Sequence, residues 1–324
     1  MKTLLVTGGS GLVGNAIKHI SHEYGTKYKF VFVSSTDYNL LKMENTQKMF
    51  ETVKPHFVIH LAACVGGLFK NMNEKVKMLE ENLLINFNVV KCCYDYKVEK
   101  LIACLSTCIF PDQTTYPIDE TMLHTGPPHS SNDAYAYSKR MLETHCRMYR
   151  ENHQCNFVCV IPTNIYGMYD NFSLEDGHVI PALIHNCYLS KVNNLPFIIK
   201  GTGTPVRQFI FSEDLARLIL WVLKEYNGDN LILSVPPENE ISIRDVATLI
   251  AKEFQYEDYM DMDTSYSDGQ YKKTASNAKL MSFNHRIPFT PIQEGIRRTV
   301  QWFIHSYSED DVVDEVEDVD DVEA

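Results

Sequence analysis

The sequence predicts an α/β fold of the Rossmann type, a doubly wound parallel sheet, with a smaller α/β substrate domain built from C-terminal excursions of the chain. Three observations predict it. Short apolar runs alternate with longer amphipathic stretches through the first half. A glycine-rich turn follows the first of those runs directly, and the second half is less regular, with no internal repeat and no Pro/Gly/Ser linker. Strand, helix, strand in repetition covers a sheet on both faces, which requires parallel strands.

Thr3 to Val6, Phe30 to Val33, Phe57 to Leu61, Leu101 to Leu105 and Phe157 to Ile161 are runs of four or five bulky or β-branched residues and read as the first five strands. Further on, Phe197 to Ile199 and Gln208 to Phe211 read as strands, Ser212 to Tyr226 as a helix and Leu231 to Val235 as a returning strand. Ser242-Ile243-Arg244-Asp245 has the form of a capping box, which starts a helix running to Phe254. The expected organisation is a cofactor-binding domain over 1–165 with a return segment near 208–236, a substrate domain over 166–207 and 237–308, and an acidic disordered tail over 309–324.

That tail explains the charge. The 324 residues carry a formal net charge of -12, but ten of the 42 acids lie between Glu309 and Ala324, leaving 32 acids against 30 bases in the body. A near-neutral body has no general attraction for a phosphate backbone, so nucleic acid is not an expected partner. Five valines are almost the only apolar residues of the tail, so self-repulsion should keep it unfolded. At 44% hydrophobic residues the body can bury a large core. No apolar run approaches the roughly 18 residues of a membrane span, and the run after Lys2 is too short for a signal peptide. Nine scattered cysteines without a CxxC pair argue against a disulfide framework and a zinc site, so no metal is expected and a reducing, cytoplasmic setting is.

Thr7-Gly8-Gly9-Ser10-Gly11-Leu12-Val13-Gly14 joins the first strand to the first helix. Gly8, Gly11 and Gly14 suit a tight turn, a backbone open to a pyrophosphate at a helix N-terminus, and close packing of that helix. A plain glycine turn is the alternative, and its place between strand and helix favours a dinucleotide. The second strand ends in Ser34 and Ser35 rather than an acid, which leaves room for a 2'-phosphate and favours NADP(H) over NAD. Asp37 stands two residues on, and Lys42 is the nearest following cation.

Tyr-x-x-x-Lys places a phenol and an ammonium on one helical face, where the cation can lower a phenol pKa ordinarily about 10. The pattern occurs three times, as Tyr38/Lys42, Tyr96/Lys100 and Tyr135/Lys139. Only Tyr135/Lys139 opens a helix after a turn-rich segment and follows a serine, Ser106, at the carboxyl end of a strand, where open α/β sheets bind ligands. The other two read as surface pairs. Cys108 lies two residues after Ser106, so an extended chain would send both side chains to the same side. An isolated cysteine is more often a small buried hydrophobe, and a lone histidine such as His178 is more often structural.

Thr7 to Gly14, Ala62-Ala63, Ser106 and Tyr135 with Lys139 resemble the extended short-chain dehydrogenase/reductase family over residues 1 to 305. Leu105 to Pro111, Tyr116 to Glu120, Pro162-Thr163-Asn164, Asp170-Asn171-Phe172 and Glu175 to Val179 resemble its GDP-L-fucose synthase branch. The resemblance implies an epimerase-reductase acting on a GDP-linked 4-keto-6-deoxy sugar with NADPH, usually as a homodimer joined by helices flanking the sheet. It implies catalytic roles for Ser106, Tyr135 and Lys139, with Cys108 as base and His178 as acid for inversion at C3 and C5. The implied cofactor residues are Gly8, Gly9, Ser10, Gly11, Leu12, Val13, Gly14, Ser34, Ser35, Ala62, Ala63, Leu105, Lys139, Pro162, Thr163, Asn164, Ile165 and His178. Asn164, Asn186, Lys200, Arg207 and Asp268 are the implied substrate contacts, and Lys200 departs from the tryptophan some members carry there. Gly201 and Gly203 beside Arg207 fit a hairpin turn equally well. The sequence leaves open the same chemistry on a UDP-linked sugar, a plain NAD-dependent 4-epimerase, and a non-catalytic dinucleotide-binding scaffold.

Overall fold

The computed structural model describes residues 1–66, 72–266, 268, 271–283 and 288–307, so the acidic tail lies outside the described residues. The first half runs β1 (Lys2–Thr7), α1 (Leu12–Ile20), β2 (Tyr28–Val33), α2 (Met43–Val53), β3 (Phe57–His60), α3 (Lys75–Asp95), β4 (Lys100–Cys104), α4 (Asp133–His153) and β5 (Phe157–Pro162). The second half runs β6 (Asn164–Tyr166), α5 (Val179–Val192), β7 (Phe197–Lys200), β8 (Val206–Arg207), β9 (Phe209–Phe211), α6 (Ser212–Glu225) and β10 (Leu231–Leu233). It ends with β11 (Ile241–Ser242), α7 (Ile243–Phe254), β12 (Met260–Asp263), α8 (Ala278–Phe283) and α9 (Ile292–Ser306).

Six strands form one parallel sheet in the order β10-β5-β4-β3-β1-β2. Alternation of side chains along each strand divides the core. Leu5, Val58, Leu101, Ala103 and Cys159 pack with Met49, Phe50, Val90, Leu142 and Cys146 from α2, α3 and α4. Leu4, Val6, Ile59, Ile102 and Val158 pack on the other face with Ile17 and Ile20 of α1 and Leu215 and Ile219 of α6. Because β2 and β3 flank β1 on opposite sides, the chain reverses its winding between β1 and β3, and the crevice beyond their carboxyl ends is where such sheets bind ligands. A third core, with Phe172, Ile184, Phe197, Ile250 and Phe303, joins α5, β7, α7 and α9.

The predicted strands and both predicted helices form, with ends that differ by a residue or two. Phe57 to Leu61 stops at His60, which pairs with Thr7 just before the chain turns at Gly8. Gln208 is not in a strand. Its amide donates to Val235 O and Ala275 O and accepts from Ala275 N, so it divides β8, paired with β11, from β9, paired with β6. Ser242 caps α7 as expected, accepting from Asp245 N at 3.0 Å.

The Tyr96/Lys100 reading requires correction. Lys100 is only 3% exposed, and its Nζ donates to Val222 O (2.7 Å), Leu223 O (3.0 Å) and Tyr226 O (2.6 Å), with Asn227 Oδ1 at 3.2 Å. A lysine of β4 thus satisfies the last carbonyls of α6, 122 residues away, and complements the negative end of that helix. Burial pulls its pKa down to about 8, opposed by the charge of Glu225. Lys100→Met should leave those carbonyls without a donor and lower the free energy of unfolding by about 2–4 kcal/mol, measured by urea titration, with cofactor binding retained.

Candidate active site

The glycine turn owes its shape to contacts that only a missing Cβ allows. Gly8 has φ +70°, and a Cβ there would stand 2.8 Å from Ala62 N, while one on Gly14 would stand 2.4 Å from Gly8 O. Gly11 is different: a Cβ there would meet only Gly8 O, at 3.5 Å. It caps α1 without a side-chain acceptor, and no acid stands in the first turn, so the amides of Leu12 and Val13 remain available to an anion. At the end of β5, Thr163 Oγ1 is buried without a partner among the described residues. An open helix N-terminus and an orphaned hydroxyl along the carboxyl edge of the sheet fit a dinucleotide.

At the end of β2, Asp37 Oδ2 accepts from Ser34 N and Ser34 Oγ, both at 2.8 Å, which holds its carboxyl below the usual carboxylate range. Asp37 therefore closes its own turn. Ser35 is exposed beside it.

Ser106, Cys108, Tyr135 and Lys139 come together where β4 ends against α4. The expected geometry needs one correction: the chain does not stay extended after Ser106. Thr107–Ile109 form a short 3-10 turn capped by Ser106, whose Oγ accepts from Cys108 N at 3.4 Å. The turn brings the thiol to the serine. Arg140 fastens it to α4, its Nε donating to Ile109 O at 2.6 Å.

Lys139 is 2% exposed, and its Nζ donates to Cys104 O at 2.8 Å and lies 5.6 Å from the centre of the Tyr135 ring. Burial lowers its pKa, opposed by the thiols of Cys104, Cys108 and Cys159. Tyr135 does not show the lowered pKa its pattern suggested. Burial pushes the phenol well above its ordinary value, and the thiols of Cys108, Cys104 and Cys64 add to the shift. Burial likewise raises the Cys108 thiol, opposed first by the Ser106 hydroxyl and then by Lys273 and Lys139. Burial thus leaves the Cys108 thiol above its ordinary value rather than below it, as a base requires.

His178 caps the N-terminus of α5, its side chain 66% exposed. Asp170 Oδ1 lies 3.9 Å from its Nδ1 and is the main cause of a raised histidine pKa. The other wall residues serve the scaffold in this structure. Asn164 Nδ2 donates to Gln208 O (2.9 Å), between Pro162 at the end of β5 and Ile165 in β6. Asn186 Nδ2 donates to Ile198 O (2.9 Å), and Asp268 accepts from Thr202 N (2.8 Å) and Thr202 Oγ1 (2.7 Å). Gly201 and Gly203 both have left-handed φ in the turn after β7, but the strands they join lie in different sheets, so no hairpin forms. Lys200 Nζ sits 5.0 Å from the centre of the Tyr266 ring. Asn186, Lys200 and Asp268 therefore gather around β7.

Arg207 Nη1 donates to Val206 O at 2.7 Å, and burial lowers the guanidinium pKa. Lys273 stands within electrostatic reach of both Arg207 and Cys108. Lys273, Asp170, Arg140 and Cys64 are the residues that sequence reasoning missed. The Lys272-Lys273 pair just past Asp268, and Asp170 at the head of Asp170-Asn171-Phe172, were the available signals.

Because a methyl on Gly14 would collide with backbone rather than a movable side chain, Gly14→Ala should weaken NADPH binding at least about tenfold, read by quenching of cofactor fluorescence.

Residues 4–233 match the NAD dependent epimerase/dehydratase family. The chain is 54% identical to GDP-L-fucose synthase of Dictyostelium discoideum over 94% of its length and 96% of that protein. It is 44% identical to the probable GDP-L-fucose synthase of Drosophila melanogaster over 95% and 99%. The crystal structure of a GDP-L-fucose synthetase from Naegleria fowleri bound to NADP superposes with a TM-score of 0.91 at 48% identity, covering 94% of this chain and 93% of that one. With its parallel sheet, glycine turn and Ser106/Tyr135/Lys139 set, this chain belongs to the NAD dependent epimerase/dehydratase family and, within it, to the GDP-L-fucose synthases.

Proposed function

We propose that this protein converts GDP-4-keto-6-deoxy-D-mannose to GDP-L-fucose by inverting C3 and C5 and then reducing C4 with NADPH. The observation that carries the reading is the buried thiol of Cys108 in one turn with Ser106, beside Lys139. A plain 4-epimerase has no use for a base there. The GDP-linked sugar in the relatives' names favours GDP over the UDP-linked alternative.

The chemistry follows from the groups. Ser106 Oγ accepts from Cys108 N, so its own proton can be donated to the sugar carbonyl at C4, with the Tyr135 hydroxyl as the second donor. A polarised carbonyl acidifies the protons on C3 and C5, which flank it. Cys108 removes each proton, its thiolate favoured by the charges of Lys273 and Lys139 once Ser106 has turned its proton to the carbonyl. His178, whose pKa Asp170 raises, returns a proton to the opposite face. Bound NADPH supplies the hydride to C4. Tyr135, whose raised pKa keeps its proton until oxyanion charge develops, then protonates O4, with Lys139 stabilising the phenolate left behind. Arg207, with Lys273 nearby, suits the diphosphate.

Residues 1–165 with 208–236 would hold the cofactor, and 166–207 with 237–308 the sugar nucleotide. No helix among the described residues is long and apolar enough to cross a membrane, and nine free cysteines suit the reducing cytoplasm. A homodimer is also proposed, because α3 and α4 pack together and expose Leu84, Phe87, Tyr94, Tyr137, Met141 and Met148. Phe87→Arg should then give a monomer by light scattering.

Cys108→Ser should abolish solvent deuterium exchange at C3 and C5, followed by NMR, while leaving NADPH affinity within about twofold; full exchange would remove Cys108 from its role. The Asp170 effect has a definite sign. Asp170 raises the pKa of His178, and a general acid works only while protonated, so Asp170→Asn should shift the alkaline fall of the exchange rate to lower pH.

A further inference from the structure

A buried histidine outside the reacting set joins both halves of the site. His60 closes β3, and Thr7, His60 and Ser138 are all 0% exposed, with Asn86 at 3%. Its Nδ1 lies 2.8 Å from Thr7 Oγ1 and its Nε2 lies 3.1 Å from Asn86 Oδ1. Ala62 N donates to Thr7 Oγ1 at 3.4 Å, and Asn86 Nδ2 donates to Ser138 O at 3.5 Å, both long bonds. Burial, with the charge of Lys139 adding to it, holds the imidazole neutral with a pKa of about 3.

A neutral imidazole has one donor and one acceptor nitrogen, and here the neighbours decide which is which. Asn86 gives its amide protons toward Ser138, so it presents its oxygen to His60, and Nε2 must carry the proton. Nδ1 is then an acceptor, so Thr7 gives it the hydroxyl proton, and Thr7 Oγ1 is left to accept from Ala62. The whole chain has one consistent proton order: Ala62 N–H to Thr7, Thr7 O–H to His60, His60 N–H to Asn86, Asn86 N–H to Ser138. One end is the cofactor wall, where Ala62 N marks the closest approach of the Gly8 turn. The other is the turn of α4 that carries Tyr135 and Lys139, and Ser138 Oγ itself donates to Tyr135 O at 2.7 Å.

We infer that His60 is a positioning residue for the reduction, holding the cofactor wall and the catalytic helix in register through a one-way hydrogen-bond chain. The inference rests on the roles of the glycine turn, Tyr135 and Lys139 proposed above. Its two nitrogens can be tested apart. The oxygen of an asparagine can replace Nδ1 as acceptor for Thr7 but loses Asn86, whereas the amide nitrogen of a glutamine can replace Nε2 as donor to Asn86 but loses Thr7.

The experiment measures NADPH dissociation by fluorescence and kcat at saturating NADPH for His60→Asn and His60→Gln, with thermal melting of each unliganded chain. His60→Asn should keep NADPH affinity within about twofold and lose about tenfold in kcat. His60→Gln should weaken NADPH about tenfold and keep kcat within about threefold. A histidine that only filled space would move both constants together in both variants, or neither, and either result overturns the inference. Should either variant fail to fold, Thr7→Val replaces His60→Gln and Asn86→Leu replaces His60→Asn, with the same split expected. A wild-type chain that binds no NADPH would contradict the proposed function instead.

Discussion

The buried ammonium of Lys139 and its hydrogen bond to Cys104 O, at 2.8 Å, hold the site together. A desolvated cation needs every partner it can find. Here the partner is the last carbonyl of β4, two residues before Ser106, so the bond that satisfies the charge also ties α4 to the end of the sheet. The Ser106-capped turn and the Arg140 bond to Ile109 O extend that contact, which is why serine, thiol, phenol and ammonium share one small volume. The same crowding sets their proton affinities. Burial raises the pKa of Tyr135 and Cys108, so both hold their protons more firmly, and lowers that of Lys139, whose ammonium is disfavoured.

The site straddles a sheet whose design was largely legible in the sequence. Parallel strands buried on both faces read as continuous apolar runs, and the glycine turn marks its own position because Gly8 and Gly14 have steric jobs no other residue can do. Ser106, Tyr135 and Lys139 were legible for the same local reason, a strand end followed by a helix start. What stayed hidden depends on partners distant in sequence. Lys100 looks like a surface lysine until α6 ends above it, and Lys273 acquires meaning only when its segment comes within reach of Cys108 and Arg207.

Local geometry also altered the chemistry without altering the residues. Spacing alone put Cys108 beside Ser106 for the wrong reason, since the chain turns there instead of extending. Asp37, two residues past Ser35, is folded back onto Ser34. His178 owes its raised pKa to Asp170, eight residues upstream, across a loop with no regular period. Such pairings come from turns, whose side-chain directions no periodicity encodes.

The most direct measurement is the NMR analysis of the product formed by the wild-type chain from NADPH and GDP-4-keto-6-deoxy-D-mannose in deuterated water. The proposed chemistry yields GDP-L-fucose with solvent deuterium at both C3 and C5 and hydrogen from NADPH at C4. A reduced sugar that retains the manno configuration and carries no deuterium at C3 or C5 would contradict it.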